Sequence, residues 1–167
     1  MIWNLELFCM RILGIDPGIH RLGWAIIDHG YSEDSWVASG CIITDRRQET
    51  AQRLHHIAQE LRRLISEFHP NIMGVEKLFF SKNSKTAMIV GEARGVILAT
   101  AAAQGLTITE ITPNEVKLST TGSGNADKQQ VARMIPMLIK LPPAKRLDDE
   151  LDAIAVALAT ARFQRTL

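Results

Sequence analysis

Three strand-length apolar runs come before the first helical pattern, and this order limits the fold more than any other feature. The runs cover residues 11–16, 22–28 and 36–44, and short segments rich in Gly, His, Ser and Asp separate them. Such spacing predicts three consecutive antiparallel strands joined by turns. A chain that begins in this way must build the rest of its fold around an existing sheet.

The remainder of the chain alternates between helical and strand patterns. Apolar side chains recur at helical spacing from Leu54 to Phe68, and Pro70 follows this pattern. The later predicted elements are a strand at 71–76, a helix at 84–104, a strand at 106–112, a helical turn opened by Pro113, a polar loop at 120–127, a helix at 128–140 and a last helix at 149–162. This order predicts an α/β fold with a mixed five-stranded sheet flanked by helices.

Composition narrows the class of protein without identifying a ligand. The chain has 167 residues, enough for one domain with a core, and a formal net charge of +1 that neither favours nor excludes nucleic acid. No apolar run approaches the ~20 residues that a membrane span needs, so we expect no membrane partner. The two cysteines are too few for a disulfide scaffold, and a cytoplasmic location is therefore expected.

Four carboxylates occupy positions where charged residues are unusual. Asp16 and Glu76 each follow four apolar or glycine residues, at the exit of a predicted strand. Asp149 and Asp152 lie three residues apart and therefore share one helix face. Each has an ordinary structural interpretation, as a turn former, a strand end in solvent, or an acidic residue favoured at a helix N-terminus.

The four carboxylates together favour a metal site. If the two strand ends and the helix start converge, the like charges raise one another's pKa and cannot all ionise without a cation. Mg²⁺ prefers carboxylate and water oxygens, and two such ions can activate water and stabilise the leaving oxygen of a phosphodiester. This hypothesis depends on a convergence in space that spacing alone does not establish.

A series of short segments occurs in an order that is typical of one known family. The segments are 15–18, 23–25, 39–44, 75–76, Phe79, 82–83, 91–96, 116–117, 122–124, 126–131 and 149–157. Through them the chain resembles the RuvC crossover-junction endonucleases from residue 10 to about residue 161. The resemblance implies an RNase H-like fold and a homodimer that resolves Holliday junctions by paired symmetric nicks during homologous recombination and DNA repair.

The resemblance also implies the roles of the four carboxylates and the partners. By matching position, Asp16, Glu76, Asp149 and Asp152 are expected to be the catalytic, metal-binding residues. Two Mg²⁺ ions per subunit are expected, with Mn²⁺ as a substitute. The expected partners are a four-way DNA junction, a second copy of the chain and a branch-migration motor complex.

The chain departs from the family's pattern at three places. Residues 1–9 precede the usual start, so we divide the chain into an N-terminal extension at 1–9 and a single nuclease domain at 10–167, with Met10 as an alternative initiator. Asp148 and Glu150 adjoin Asp149 and leave the choice of metal ligand open. The segment 19–21 differs from the commoner small or polar residues, and we expect this to matter little.

Four further residues are candidates for DNA binding. Lys117 and Lys128 flank the polar loop, where a lysine beside the scissile phosphate would stabilise developing charge; the alternative is a solvated surface lysine. Phe79 could stack on an unpaired base or pack in the core, and Lys82 could contact phosphate. Arg94 could support the site or form a structural salt bridge.

Other functions remain open at this point. An Asp-x-Gly turn after a strand also begins the ATPases of the actin and sugar-kinase type, although those chains usually need two such domains. A catalytically silent junction-binding or RNA-binding module could share the fold, but it would have no need of every carboxylate. A ribonuclease H is the nearest neighbour in mechanism, so the chemistry is better indicated than the substrate.

Overall fold

A five-stranded sheet with helices on both faces forms the centre of the computed structural model, which describes residues 10–77 and 84–164. The elements in chain order are β1 (Met10–Asp16), β2 (Arg21–His29), β3 (Asp34–Ile43), α1 (Thr50–Phe68), β4 (Ile72–Glu76), α2 (Ser84–Ala103), β5 (Thr107–Ile111), α3 (Pro113–Thr121), α4 (Lys128–Leu138) and α5 (Asp148–Gln164). The predicted mixed sheet flanked by helices is confirmed. Among these helices, none combines the length and the apolarity needed to cross a membrane.

The sheet joins an antiparallel half to a parallel half. Its strand order is β3-β2-β1-β4-β5, and β1, β2 and β3 pair antiparallel as predicted. The strand β4 returns beside β1 in parallel, and β5 then adds in parallel to β4. As a result β1 lies in the middle of the sheet, with its C-terminal end next to the C-terminal end of β4.

Alternating side chains of β1 enter two separate hydrophobic cores. Leu13 is fully buried among residues of α1 and α2, whereas Ile12 is fully buried among residues of α3, α4 and α5. A central strand buried on both faces needs apolar side chains in both directions. This requirement explains why the run at residues 11–15 is almost continuously apolar.

Several predicted boundaries were wrong, and local capping explains the largest error. The helical turn expected at Pro113 is a nine-residue helix that is capped at both ends. At its start the Thr112 hydroxyl accepts from the Glu115 N–H while the Glu115 side chain accepts from the Thr112 N–H, and at its end the Gly122 N–H donates to the Leu118 carbonyl oxygen. The polar loop expected at 120–127 therefore begins only after Thr121. At the other end, α4 stops at Leu138 rather than 140, and α5 begins one residue early, at Asp148.

The helix α5 lies directly on the sheet, because three adjacent strands present glycine to it. A Cβ added at Gly14 in β1 would overlap the carbonyl oxygen of Ala153 and lie 2.6 Å from the backbone nitrogen of Ala157. Gly23 in β2 and Gly74 in β4 make equally close approaches to Asp149 and Thr160, respectively. The glycines thus fix both the height of α5 above the sheet and its position along its own axis.

We predict that Gly14→Ala lowers the free energy of unfolding by at least about 2 kcal/mol, because backbone atoms of α5 cannot yield to the added methyl group as a flexible side chain could. Urea denaturation measures this change. The matched control is Gly95→Ala on an exposed position of α2 with no atom within 4 Å of the added Cβ, which should be neutral or stabilising by up to about 1 kcal/mol. Equal stabilities of the two variants would contradict the close contact.

Candidate active site

Two of the predicted carboxylates meet at one edge of the sheet. Asp16 is the last residue of β1 and Glu76 is the last residue of β4. These strands are parallel neighbours in which Ile15 pairs with Val75, so the residues that follow leave the sheet side by side. Parallel pairing therefore brings together two residues that are 60 positions apart in the sequence.

The first turns of α5 bring the other two carboxylates to the same edge. Gly23 pairs with Asp16 across β1 and β2, and the backbone of Asp149 lies directly against Gly23. Asp152 follows three residues later on the same helix face, and it lines one cleft together with Glu76. The structure therefore brings together all four carboxylates that the sequence singled out.

Burial and the proximity of the carboxylates raise the pKa of three of them. Burial, followed by the charges of Asp152, Glu76 and Asp149, raises the pKa of Asp16 from 3.8 to about 7. Burial and the charge of Asp152 raise the pKa of Glu76. Burial also raises the pKa of Asp152, against the opposing effect of Lys128. Such a cluster binds a proton or a metal cation more readily than separate surface carboxylates do.

Basic side chains line the same cleft. Lys128 and Lys117 lie on its wall with Glu76 and Asp152, and the remaining wall is mostly apolar. The Lys128 Nζ is 2.6 Å from Asp152 Oδ2. Burial alone would lower the pKa of Lys128, but its hydrogen bond to Asp152 and the nearby negative charges raise it. Both lysines singled out in the sequence therefore lie at the site.

Arg21 is a site residue that the sequence analysis missed. It opens β2, and its Nε lies 2.9 Å from Asp149 Oδ2. The segment 19–21 was expected to matter little as a departure from the family's pattern, yet its Arg21 side chain lies beside a candidate metal ligand. The available signal was its position five residues after Asp16, at the start of the strand that turns back beside β1.

Glu150 turns away from the cleft and is held by other partners. The Ser39 hydroxyl donates to Glu150 Oε1 at 2.7 Å, and Arg146 Nε approaches the same oxygen at 3.3 Å. Trp36 Nε1 donates in turn to Ser39 Oγ at 2.9 Å. These contacts with β3 and with the segment before α5 occupy Glu150 and favour Asp149 over it as a ligand. Asp148 lies exposed at the start of α5.

The donor atoms fit a divalent cation, although they are not already arranged around one. In residues 10–77 and 84–164, no three acidic, histidine or cysteine side chains form a preassembled metal cluster. Asp149 Oδ2 is nevertheless buried and has no hydrogen-bond partner in this part of the chain, since Arg21 approaches it without the alignment of a hydrogen bond. A buried carboxylate oxygen with unused lone pairs is suited to a hard cation.

Arg94 supports the end of β4 from α2. Its guanidinium is paired with Glu110 on β5, and its Nε donates to the Glu76 carbonyl oxygen at 3.4 Å. The two interpretations left open for Arg94 therefore both apply, since it forms a salt bridge and also contacts the backbone of a site residue. Phe79 and Lys82, the other two predicted DNA-binding residues, lie outside the described residues.

Comparison with known proteins identifies the relatives of this chain. A family model described as "Crossover junction endodeoxyribonuclease RuvC" matches residues 12–160. The protein of that name from Thermosipho melanesiensis is 43% identical over 152 residues, which cover 91% of this chain and 97% of the relative. The one from Caldicellulosiruptor saccharolyticus is 46% identical over 150 residues, covering 89% and 90% of the two chains.

Solved structures agree with the sequence relatives. The Thermus thermophilus RuvC structure in complex with a Holliday junction substrate has a TM-score of 0.87 and 30% identity, covering 94% of this chain and 96% of that one. A yeast mitochondrial Holliday junction resolvase has a TM-score of 0.72 at 14% identity, covering 93% and 79% of the two chains. The second similarity is one of fold alone.

We predict that Asp16→Asn stabilises the metal-free protein at pH 8 but not at pH 3. The folded pKa of Asp16 is about 7 and the ordinary value is 3.8, so the folded state binds more protons between these pH values. The contribution of Asp16 to wild-type stability should therefore fall as pH rises through this window. The substitution should recover about 1–3 kcal/mol at pH 8, measured by urea denaturation in EDTA. A difference that does not change with pH would contradict the raised pKa.

Proposed function

The chain belongs to the RuvC family of crossover junction endodeoxyribonucleases, and we propose that it resolves Holliday junctions by Mg²⁺-dependent paired nicks in recombination and repair. One observation carries the proposal more than any other. Asp16, Glu76, Asp149 and Asp152 meet at the common exit of β1 and β4. This arrangement supports metal-assisted hydrolysis of a phosphodiester bond.

We assign the four carboxylates as the catalytic metal ligands, with two Mg²⁺ ions per subunit and Mn²⁺ as a substitute. Bound divalent ions would activate the attacking water and stabilise the leaving oxygen. The chain contributes rigid placement: Asp16 and Glu76 are fixed by strand pairing, and Asp149 and Asp152 by the contact of α5 with the sheet. Asp149 Oδ2 is buried and accepts no hydrogen bond from the described residues, although it is ion-paired with Arg21, and this supports its inclusion in the set.

The basic residues of the cleft would hold the scissile phosphate. Lys117 and Lys128 lie on its wall beside Glu76 and Asp152, so their charges would face negative charge that develops on the phosphate. We further propose that Phe79 stacks on an unpaired base at the crossover and that Lys82 contacts the DNA backbone. Both follow the end of β4 in the sequence, only a few residues beyond Glu76.

The unit that acts on the junction is proposed to be a homodimer. Two copies related by a two-fold axis would present two equivalent sites to a nearly two-fold junction, which accounts for symmetric nicks in a single encounter. We propose that residues 10–167 form one nuclease domain after the extension at 1–9, and the family match beginning at residue 12 supports this division. A branch-migration motor complex and a cytoplasmic setting belong to the same proposal.

We predict that Asp16→Asn abolishes nicking of a four-way DNA junction while the junction affinity stays within about threefold of wild type, because basic residues supply most of the DNA affinity. Cleavage should be measured on a junction, a linear duplex and an RNA–DNA hybrid, with and without Mg²⁺. The control is Glu33→Gln, an exposed carboxylate in the β2–β3 turn at the opposite end of the sheet.

Three results would count against this part of the proposal. Cleavage by Asp16→Asn at the wild-type rate would remove Asp16 from the catalytic set. Preferential cleavage of the hybrid would replace the junction by the substrate of a ribonuclease H. Junction binding by the wild type without cleavage of any substrate would indicate a silent binding module.

We predict that Lys128→Ala slows junction cleavage about 10- to 100-fold at saturating Mg²⁺ and weakens junction binding less than about threefold. Single-turnover cleavage and fluorescence anisotropy measure the two effects separately. Lys140→Ala is the matched control, because Lys140 is exposed just beyond the far end of α4. Equal losses of rate and affinity would indicate that Lys128 binds DNA phosphate without contributing to the chemical step.

A further inference from the structure

Two basic side chains each hold one carboxylate of α5. Lys128, the first residue of α4, reaches Asp152 Oδ2 at 2.6 Å. Arg21, the first residue of β2, approaches Asp149 Oδ2 at 2.9 Å. The two cations come from different elements on different sides of α5, and together they occupy both aspartates of its first turns.

The position of Lys128 is set by the start of its helix. The Asp127 side chain accepts from the Gln130 N–H at 2.8 Å, and the Gln130 side chain accepts from the Asp127 N–H at 2.8 Å. This reciprocal cap fixes the first residue of α4 beside the cleft. The Lys128 side chain can therefore exchange partners while its backbone stays in place.

Both ion pairs are accessible enough to be exchanged. The Lys128 and Asp152 side chains are 63% and 30% exposed, and those of Arg21 and Asp149 are 44% and 23% exposed. Because water reaches both basic side chains, these ion pairs contribute little net stability, although Asp149 Oδ2 itself is buried. A ligand with a higher charge can therefore displace either basic side chain without unfolding the site.

We propose that Arg21 and Lys128 are internal counter-cations, which neutralise Asp149 and Asp152 in the metal-free protein and compete with divalent ions for the same oxygens. This inference rests on the metal-binding role proposed above for the carboxylates. Its physical basis is that a positive ammonium or guanidinium beside a carboxylate oxygen neutralises its charge and repels a second cation that approaches the same oxygen. Metal binding must therefore include the release of these two side chains.

The released cations would remain next to the bound substrate. Lys128 lines the cleft, and Arg21 lies at the start of β2, next to the exit of β1. Once displaced from their carboxylates, both would be available to DNA phosphate. Metal and DNA would then favour each other's binding, because each removes a competitor of the other, and such coupling is reciprocal. Arg21 would thereby become a positioning residue for Asp149 before metal arrives and a phosphate contact afterwards.

The test is a titration of the full chain with Mn²⁺, in which electron paramagnetic resonance counts the free ion. We expect Arg21→Ala and Lys128→Ala each to lower the Mn²⁺ dissociation constant about three- to tenfold in the absence of DNA. Lys128→Arg keeps the charge and should stay within about twofold of wild type. The control for general loss of charge is Lys117→Ala, which removes a cation from the same cleft where no ion pair with Lys117 is present in the described part of the chain.

The outcomes separate this inference from the proposed function. Tighter Mn²⁺ binding by the two ion-pair variants, but not by Lys117→Ala, would support competition. If Mn²⁺ binding tightened equally in all three alanine variants, the change would come from the general loss of positive charge near the cleft, and the inference would be overturned. Unchanged or weaker binding in both ion-pair variants, with normal binding by wild type, would overturn it and leave the metal site standing. If no variant binds Mn²⁺ even with junction DNA, the proposed metal site itself fails.

Circular dichroism identifies any variant that does not fold. For such a position, Arg21→Gln or Lys128→Gln replaces the alanine variant, since glutamine keeps a polar side chain without the charge. The same expected three- to tenfold change and the same contrary outcomes apply to the replacement.

Discussion

The close contact between α5 and the sheet is the constraint on which the site depends. Gly14, Gly23 and Gly74 lie in three adjacent strands, and each leaves room for a different turn of the helix. Any side chain at these positions would lift α5, and the two aspartates with it, away from the strand ends. The position of the carboxylates on α5 is therefore set by three residues that have no functional groups of their own.

Neighbouring carboxylates repel one another, and two basic side chains of the same chain offset part of this repulsion. Burial and mutual repulsion raise the pKa of Asp16 to about 7. Lys128 and Arg21 relieve part of this repulsion by pairing with Asp152 and Asp149. Because these pairs are partly exposed, each contributes little net stability.

Much of this arrangement could be predicted from the sequence, and the failures have identifiable causes. The strands and the unusual carboxylates were recognisable because apolar runs and acidic residues are local features, whereas the catalytic roles came from resemblance. Arg21 was missed because its importance depends on where β2 begins relative to α5, a long-range relation. The choice between Asp149 and Glu150 as a ligand stayed open because helical spacing does not show which neighbouring residue a side chain contacts. The extent of α3 could have been inferred from the capping pattern at Thr112 and Glu115, which marks its start, together with Gly122, which marks its end.

The contacts of Glu150 bear on how this surface can vary. Arg146 and Glu150 are 10% and 14% exposed, and the Arg146 guanidinium also lies 5.8 Å from the centre of the Trp36 ring. Replacing either residue alone by an uncharged one would leave the charge of the other unpaired and mostly buried. Among relatives, positions 146 and 150 should therefore change together: both should be charged, or both should be apolar. Glu150, one of the two residues between Asp149 and Asp152, is thus tied to partners that lie outside the cleft.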